Sequence, residues 1–506
     1  MTFSISKNYL AFSFLAGCLN VFSFSPFNLW FLQIISLSMV FFLYLKNKEK
    51  KKFWIGWFYA FGSLIFGINW IYTSLNTYGG LNPLISVLAI IILSGLLATL
   101  YGASFSFSNF LEKNKRNLFE LSLIILPMTL ILADWIRGWI FTGFPWLAFG
   151  YAHTNSPLSG YAPIFGVFGI GIIAAMISGA IALMFFLKKP NINLLFLIFL
   201  FIIFGSYFSF LNWTSPFGKK IKVALIQGNV PQNLKFEPYN VKKTLTLYKN
   251  LITSTNANLI AAPETALPII SSKIPKKYFQ SLQAHVENTN SNIIIGIPWN
   301  EENKNYFNSA IGISKKNQNY YRYDKNHLVP FGEFIPYGTK WFVKMMNIPL
   351  GDFSRGKFVQ QPFRVNEQYV LPNICYEDLF GEEIALKLFK LNIDKQISVN
   401  ILLNLSNIAW FGDSIALHQH LQISQMRALE TGRPVLRATN TGSTAIIDHK
   451  GKVVSKLPSL KKDILIGEIQ GMSGITPYIL HQNIIPIGLA FILLFMIWLK
   501  NSPSKN

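Results

Sequence analysis

Three short polar clusters, each flanked by apolar residues, hold the side chains of this chain that could perform covalent chemistry. Cys375 ends an apolar run and precedes acids, Glu264 lies in a Pro-Glu-Thr-Ala-Leu-Pro segment, and Lys325 begins a polar and apolar segment that ends in Glu333. A thiol, a carboxylate and an ammonium are the groups of a nucleophile, its general base and a cation for a developing oxyanion. The three residues therefore predict covalent catalysis through Cys375.

These side chains also have structural alternatives. Cys375 could be an inert core cysteine, Lys325 could be one more solvated lysine, and Glu333 could be a surface acid beside Lys340. Cys18, the other cysteine, lies in an apolar segment, so we expect it to pack as a small hydrophobe without forming a disulfide. A free thiol is mostly protonated at neutral pH, and a reactive Cys375 therefore needs a base.

The composition divides the chain into membrane and soluble parts. Hydrophobic residues make up 51% of the chain and charged residues 13%, which is about half the charged share of soluble proteins. Residues 8–211 and 484–499 are apolar, whereas residues 219–476 have ordinary globular composition. We therefore predict three domains: a membrane domain over 1–213, a catalytic domain over 214–478, and a C-terminal transmembrane helix with a tail over 479–506.

The formal net charge of +22 has two interpretations. It could reflect a composition rich in lysine, or it could attract the protein to an anionic bilayer surface. No basic stripe alternates with aromatic residues in the soluble part, so we expect no nucleic-acid partner.

Eight apolar blocks approach the length of about 20 residues that a bilayer crossing needs. The first block could instead be a cleaved signal peptide, although no typical cleavage site follows it. The blocks lie at 8–24, 28–45, 54–73, 84–110, 118–137, 162–187, 193–211 and 484–499.

Lysine placement predicts the orientation of these blocks. Basic runs follow every second block, at 46–52, 113–116 and 188–189 and again after residue 499. The positive-inside rule places these loops in the cytoplasm and the soluble domain outside it. Asp134 and Arg137, three residues apart, could pair on one helix face. The acids near the membrane midplane that are typical of a transporter are missing from the sequence.

The soluble part shows strand patterns alternating with helix patterns, which is typical of a layered α/β domain. Its candidate site residues follow predicted strand ends, where active sites of such sheets gather. The predicted strands are 221–226, 259–262, 292–296, 309–314, 320–323, 369–375, 401–404, 434–438, 443–448 and 452–455. The predicted helices are 241–255, 275–288 and 417–430.

The segments around Glu264, Lys325 and Cys375 resemble the three signatures of the nitrilase superfamily. The whole arrangement is similar to one branch of it, the bacterial apolipoprotein N-acyltransferases. Further segments that carry this likeness are 143–146, 227–229, 404–407, 409–412 and 427–434. The resemblance implies a polytopic membrane domain of about eight helices and an extracytoplasmic α-β-β-α sandwich. Ile408 and Phe236 depart from the usual pattern of an acid and a tryptophan.

The resemblance also implies roles for individual residues. Glu264, Lys325 and Cys375 would form the catalytic triad, with Lys325 at the oxyanion. The expected supporting residues are Glu333, Tyr376, Glu377 and Asn308, and the expected substrate contacts are Phe236 and Trp146. We expect no cofactor, because the implied acyl transfer needs none. We also expect no metal, because His418 and His420, two residues apart, point to different helix faces and no third ligand is evident. Residues 339–362 are a candidate hydrophobic flap over the site.

The implied activity transfers an acyl chain from a membrane phospholipid to an apolipoprotein. Phosphatidylethanolamine is the expected donor, the N-terminal amine of diacylglyceryl-cysteine is the acceptor, and a Cys375 thioester is the intermediate. The enzyme would be a monomer in the bacterial inner membrane, with its catalytic domain on the periplasmic side. One alternative is a membrane-anchored amidase or nitrilase with water as acceptor. Another is a transporter or receptor with a degenerate soluble sensor.

Overall fold

The computed structural model describes residues 5–47, 51–112, 117–301, 305–315, 320–338 and 352–502. Its contacts divide the chain into two compact units. A helical unit comprises Met1–Ile71, Leu84–Leu211 and His481–Asn506, and a sandwich unit comprises Tyr72–Pro83 and Asn212–Leu480. Residues 339–351 of the candidate flap and much of the lysine runs lie outside the described residues. The predicted domain limits stay a prediction.

The helical unit is built from apolar helices joined by short loops. The helices are α1 (Ile5–Val21), α2 (Phe31–Lys46), α3 (Lys52–Gly67), α4 (Pro83–Glu112), α5 (Leu118–Arg137), α6 (Ala162–Leu187), α7 (Ile192–Phe210) and a C-terminal helix (Ile484–Asn501). In the described part of the chain, α4, α5, α6, α7 and the C-terminal helix are long and apolar enough to cross a membrane. The predicted number of eight crossings stays a prediction.

Helix α7 shows why these helices suit lipid better than water. Only Leu194 and Gly205 of this helix are buried, and Ile192 and Phe210 are each more than three-quarters exposed. A helix that is apolar on all sides cannot place a polar face toward water. Exposed apolar surface of this kind is therefore compatible with contact to hydrocarbon chains.

The predicted pair of Asp134 and Arg137 is confirmed, with Arg137 Nη2 2.6 Å from Asp134 Oδ1 and both side chains buried. The pair also fixes the loop that follows α5, which is rich in aromatic residues. Arg137 donates hydrogen bonds to the carbonyl oxygens of Phe144 and Trp146, and Asp134 accepts one from the backbone N–H of Phe149. A buried ion pair with further hydrogen bonds can satisfy the charges that it removes from solvent.

In its described residues, the sandwich unit contains two six-stranded sheets and four main helices. The first sheet has the order β13-β2-β3-β4-β5-β6 and the second has the order β12-β11-β10-β9-β8-β7, while β1 pairs with β14. The strands are β1 (Ser215–Pro216), β2 (Ile221–Gln227), β3 (Leu259–Ala262), β4 (Asn292–Asn300), β5 (Tyr306–Ile313), β6 (Tyr321–Asp324), β7 (Phe363–Val365), β8 (Gln368–Ile374), β9 (Ile401–Ser406), β10 (Val435–Thr439), β11 (Ala445–Ile447), β12 (Val453–Lys456), β13 (Asp463–Ile469) and β14 (Met472–Ser473). The helices are α8 (Pro238–Thr253), α9 (Lys276–Thr289), α10 (Gly381–Lys395) and α11 (Ile415–Thr431).

Alternation along the strands creates the layers. In β2, Val223 and Leu225 pack in the core between the two sheets, whereas Ala224 and Ile226 pack against α8 and α9. The second sheet packs its outer face against α10 and α11. Successive side chains of a strand point to opposite faces, so one strand contributes to both cores. The predicted α-β-β-α sandwich is therefore confirmed.

The two sheets repeat one pattern. Strands β2, β3 and β4 are parallel, as are β8, β9 and β10, and antiparallel strands flank each trio. The predicted strands and helices all appear, with ends shifted by a few residues. The sequence did not predict α10, β7 or β13. Strand β13 is partly exposed and contains two acidic residues, so its composition does not predict a strand. Its strand conformation depends on its pairing with β2.

The segment Tyr72–Pro83 belongs to the sandwich unit although two helices of the other unit flank it in sequence. Ser74 Oγ donates a hydrogen bond of 2.8 Å to the carbonyl oxygen of Trp410, and the rings of Tyr78 and Trp410 meet edge to face. Gly412, with a φ of +61°, comes close to Thr73. These contacts hold the segment against the loop that follows β9.

Candidate active site

The three predicted catalytic residues follow three different strand ends. Glu264 lies two residues beyond β3, Lys325 directly follows β6, and Cys375 directly follows β8. Lys325 Nζ lies 3.4 Å from Glu264 Oε1, and the Cys375 thiol is hydrogen-bonded to the Glu264 carboxylate. The structure thus brings together a thiol, a carboxylate and an ammonium from two different sheets.

Gly296 in β4 makes room for Glu264. A Cβ atom on Gly296 would lie 2.4 Å from the carbonyl oxygen of Pro263 and 2.6 Å from Cα of Glu264, closer than real Cβ contacts allow. Thr265 follows with a φ of +50°. A glycine is therefore needed where the backbone of the Glu264 turn crosses β4.

Cys375 has a left-handed backbone, with a φ of +51°. This conformation is uncommon for a residue with a Cβ atom and persists only where the surroundings enforce it. The carbonyl oxygen of Cys375 is held by Asn404 Nδ2 at 3.4 Å and by the ring of His420. The chain therefore turns sharply at the end of β8, and Cys375 lies on that turn.

The Glu264 carboxylate is fixed at both oxygens. Oε1 accepts a hydrogen bond of 2.7 Å from Asn308 Nδ2 in addition to its contact with Lys325, and Oε2 accepts one of 2.8 Å from the backbone N–H of Asn407. Because each donor comes from a different element, the carboxylate is held in one orientation toward the Cys375 thiol.

Lys325 is buried and paired with two carboxylates. Its Nζ lies 2.9 Å from the Glu333 carboxylate and 3.4 Å from Glu264, and only 1% of its side chain is exposed. Burial alone lowers the pKa of Lys325, but the charges of Glu333 and Glu264 outweigh burial, so its pKa is raised and the amine stays protonated. Burial also excludes the alternative of a solvated lysine.

Glu333 is a buried partner of Lys325 rather than a surface acid. Its carboxylate accepts hydrogen bonds from Asn308 Nδ2 at 2.6 Å and from the backbone N–H of Val329 at 2.8 Å. Asn308 thereby bridges the carboxylates of Glu264 and Glu333. The side-chain amide separates two like charges that both contact Lys325.

The electrostatics favour a protonated thiol in the resting site. Burial raises the pKa of Cys375, the neighbouring Glu264 carboxylate raises it further, and Lys325 opposes this rise only in part. The thiolate is the nucleophilic form, so the predicted attack by Cys375 requires the loss of its proton. The hydrogen-bonded Glu264 carboxylate is the group placed to accept that proton.

Glu377 joins the Cys375 turn to the Lys325 loop. Its carboxylate accepts hydrogen bonds from the backbone N–H groups of Ile374 and Asn326 and from Tyr323 Oη, and it lies 3.3 Å from Lys387 Nζ. Burial alone raises the pKa of Glu377, but Lys387 and these N–H donors outweigh it, so the pKa is lowered and the group stays ionised. Glu377 therefore positions its neighbours Cys375 and Lys325 without contacting either in this structure.

A buried polar network lies beneath the nucleophile. Arg437 donates to His420 Nδ1 at 2.9 Å and lies 3.2 Å from Asp378, and Ser424 contacts both Arg437 and Asp378. Burial and the Arg437 charge lower the pKa of His420, so its ring is neutral. Because arginine only donates, Nδ1 accepts, and the other ring nitrogen carries the hydrogen that binds the Cys375 carbonyl oxygen.

The remaining predicted site residues are Tyr376, Phe236 and Trp146. Tyr376 is buried with its ring edge against Phe380, and Phe236 is half-buried. Trp146 is buried in the helical unit beside Trp70. Contact of Phe236 and Trp146 with a substrate stays a prediction.

His327 and Ile408 also lie in motif segments of the sequence. His327 Nδ1 lies 2.8 Å from Glu383 and its ring stacks on Phe380, so it makes a structural contact. Ile408, which replaces the usual acid, is fully buried.

Three residues near the site were not predicted to act there. Asn407 and His420 contact Glu264 and Cys375 as described above, and the buried Lys235 places its Nζ 3.4 Å from the carbonyl oxygen of Glu264. Asn407 lies in a segment that carries the family resemblance, so that segment was the available signal. Lys235 and His420 lie outside those segments, and the burial of their side chains cannot be read from the sequence.

The fold and this site define the class of protein. Residues 222–478 match the family model of the carbon-nitrogen hydrolases. The likeness to the solved carbon-nitrogen hydrolase of Helicobacter pylori G27 is distant, with 18% identity, a TM-score of 0.35, and coverage of 56% of this chain and 95% of that one.

Comparison of the whole chain identifies the family more narrowly. Residues 16–180 match the apolipoprotein N-acyltransferase N-terminal domain. The chain is 40% identical to the apolipoprotein N-acyltransferase of Ralstonia nicotianae, over 95% of this chain and 91% of the relative. It is 37% identical to that of Nitrosomonas europaea, over 95% of each chain. The chain belongs to the apolipoprotein N-acyltransferase family, and the predicted family is confirmed.

Replacement of Gly296 tests how tightly β4 positions Glu264. In Gly296→Ala the new Cβ must displace the Glu264 backbone, and a shift of about 1 Å costs roughly 100-fold in rate. We expect a loss of that size in the acyl-transfer rate of the purified protein. Gly488→Ala is the control, because a Cβ there meets nothing within 4 Å. Equal rates for both variants would contradict the argument.

Glu377→Gln tests the hydrogen bonds through which Glu377 connects the Cys375 turn to the Lys325 loop. The amide would place N–H groups against donors such as Ile374 N–H, so we expect a roughly 100-fold slower acyl transfer. The matched control is Glu468→Gln, an exposed carboxylate on β13. A Glu377→Gln rate within a factor of two of the control would show that acyl transfer does not depend on these hydrogen bonds.

Proposed function

We propose that this protein transfers an acyl chain from a membrane phospholipid to the N-terminal amine of diacylglyceryl-cysteine in apolipoproteins, through a thioester on Cys375. The observation that carries the proposal is the Cys375 thiol hydrogen-bonded to Glu264, with the paired Lys325 ammonium 3.4 Å from the same carboxylate. Membership in the apolipoprotein N-acyltransferase family supports the choice of donor and acceptor. The expected donor is phosphatidylethanolamine.

In the first half-reaction, Glu264 takes the Cys375 proton as the sulfur attacks an ester carbonyl of the phospholipid. The oxyanion that forms is stabilised by the Lys325 ammonium, which replaces part of its contact with the carboxylates. The intermediate then breaks its carbon–oxygen ester bond. Glu264 returns the proton to the leaving glycerol oxygen, so a lysophospholipid departs and an acyl thioester remains on Cys375.

In the second half-reaction, the neutral α-amine of the acceptor attacks the thioester carbonyl. The carbon–nitrogen bond forms, the carbon–sulfur bond breaks, and Glu264 carries a proton from the nitrogen to the leaving sulfur. The amide is more stable than the thioester, so the transfer runs forward. The same carboxylate therefore serves both half-reactions as base and then as acid.

We also propose that the chain crosses the bacterial inner membrane eight times as a monomer, with the sandwich unit on the periplasmic side. The alternating lysine loops support this orientation. Both substrates carry acyl chains that stay in the bilayer, which suits a catalytic domain whose sequence is flanked by apolar helices.

Intact mass spectrometry of the purified protein with phosphatidylethanolamine and no acceptor tests the thioester. We expect a mass gain of one acyl chain on Cys375 that hydroxylamine releases. Cys375→Ala should gain nothing, whereas Cys18→Ala should behave as the unmodified chain, because Cys18 lies in α1. An unacylated, folded protein that releases ammonia from simple amides would instead establish an amidase. Replacing the donor by phosphatidylglycerol measures the headgroup preference.

Cysteine labelling in spheroplasts tests the orientation. In a background without Cys18 and Cys375, Lys277→Cys on α9 should react with a membrane-impermeant maleimide, since Lys277 is exposed. Ser502→Cys, after the C-terminal helix, should react only once the membrane is permeabilised. Labelling of Ser502→Cys in intact spheroplasts would contradict the orientation.

A further inference from the structure

A second lysine of the sandwich unit, Lys235, lies beside the catalytic groups. It follows the short helix Gln232–Leu234, only 1% of its surface is exposed, and its Nζ lies 3.4 Å from the carbonyl oxygen of Glu264. It lies close enough to the Glu264 carboxylate and to Cys375 for both groups to influence its pKa. Lys235 therefore occupies the same site as the proposed nucleophile and base.

The surroundings of Lys235 differ from those of Lys325. Lys325 is paired with two carboxylates, whereas the Nζ of Lys235 has, within the described residues, a single long hydrogen bond, to a backbone carbonyl, and no carboxylate partner. An ammonium has three donor hydrogens and is costly to bury without an opposite charge. A buried lysine in this setting therefore tends toward its neutral form.

Burial lowers the pKa of Lys235 to about 7, although Glu264 and Cys375 oppose the shift. Below this pH the amine is protonated, and above it the amine is neutral and can accept a proton. The site therefore contains two lysines with opposite functions: Lys325 stays a cation, and Lys235 is able to act as a base near neutral pH.

In the proposed second half-reaction, one proton has no assigned acceptor. An α-amine has a pKa of about 8, so the acceptor reaches the site mostly as an ammonium at pH 7. Forming the amide removes two protons from that nitrogen. Glu264 carries one to the sulfur of Cys375, and the other must leave before the nitrogen can attack. No group in the proposed mechanism takes it.

We propose that Lys235 is the second base of the active site and removes this first proton from the acceptor's ammonium. The inference rests on the proposed acyl transfer and adds one step to it. The ammonium N–H bond breaks, its electron pair stays on the nitrogen, and the proton moves to Lys235 Nζ. The resulting Lys235 ammonium releases the proton to solvent after the product leaves, and Glu264 remains free to relay the second proton.

The two half-reactions separate this role from a structural one. In Lys235→Met, thioester formation from phosphatidylethanolamine should slow much less than the transfer to an amine at pH 7, because no ammonium is involved in the first half-reaction. Transfer from the thioester to a diacylglyceryl-cysteine peptide should slow about 10-fold at pH 7, since only about one tenth of an amine with a pKa near 8 is then neutral. The difference should vanish at pH 9, where the acceptor is already neutral.

Two further measurements distinguish a proton-accepting role of Lys235 from the effect of a fixed positive charge. Lys235→Arg keeps a cation but cannot lose its proton, so it should slow the transfer as Lys235→Met does. Hydroxylamine, which is neutral at pH 7, should cleave the thioester equally fast in all variants. Lys277→Met on the exposed face of α9 is the matched control and should change neither step.

Opposite results would overturn the inference. Normal transfer at pH 7 in Lys235→Met or Lys235→Arg would show that the amine is not needed as a base. A slow hydroxylamine reaction would show that the substitution distorts the site. If Lys235→Met does not fold, Lys235→Arg decides alone. Absence of any thioester on the unmodified chain would refute the acyl-transfer proposal instead, so the two failures are distinguishable.

Discussion

The pairing of one buried ammonium with two carboxylates is the constraint on which the site depends. Lys325 is 1% exposed and contacts both Glu264 and Glu333. A buried charge without such partners would strongly destabilise the fold, so the ends of the elements that supply these groups must meet. Asn308 bridges the two carboxylates and keeps them apart. The charges that are proposed for catalysis therefore also fix the local structure.

The Cys375 thiol, the proposed nucleophile, belongs to the second sheet. Cys375 lies on a left-handed turn at the end of β8, where its carbonyl oxygen is held by Asn404 and His420. Glu377 binds the backbone of this turn and that of the Lys325 loop at once. A strained residue needs such support from several directions. The two sheets thus contribute different reactive groups to one site, and buried polar contacts set their spacing.

The two buried lysines show that environment decides the chemistry of a side chain. Two carboxylates keep Lys325 protonated, whereas burial lowers the pKa of Lys235 to about 7. The first is suited to stabilising an oxyanion and the second to accepting a proton. An acyl transfer from an ester to an amine needs both functions, because it creates a negative charge and releases a proton.

The layered fold, the family and the three residues that lie together could be predicted from the sequence. Short apolar runs bounded by polar residues predict strands, and motifs that resemble those of the family identify Glu264, Lys325 and Cys375. Strand β13 was not predicted, because its edge position depends on pairing with β2. The roles of Lys235, Asn407 and His420 depend on burial and on contacts between residues far apart in the chain. These could not be predicted, since desolvation and hydrogen bonding arise when distant segments pack together.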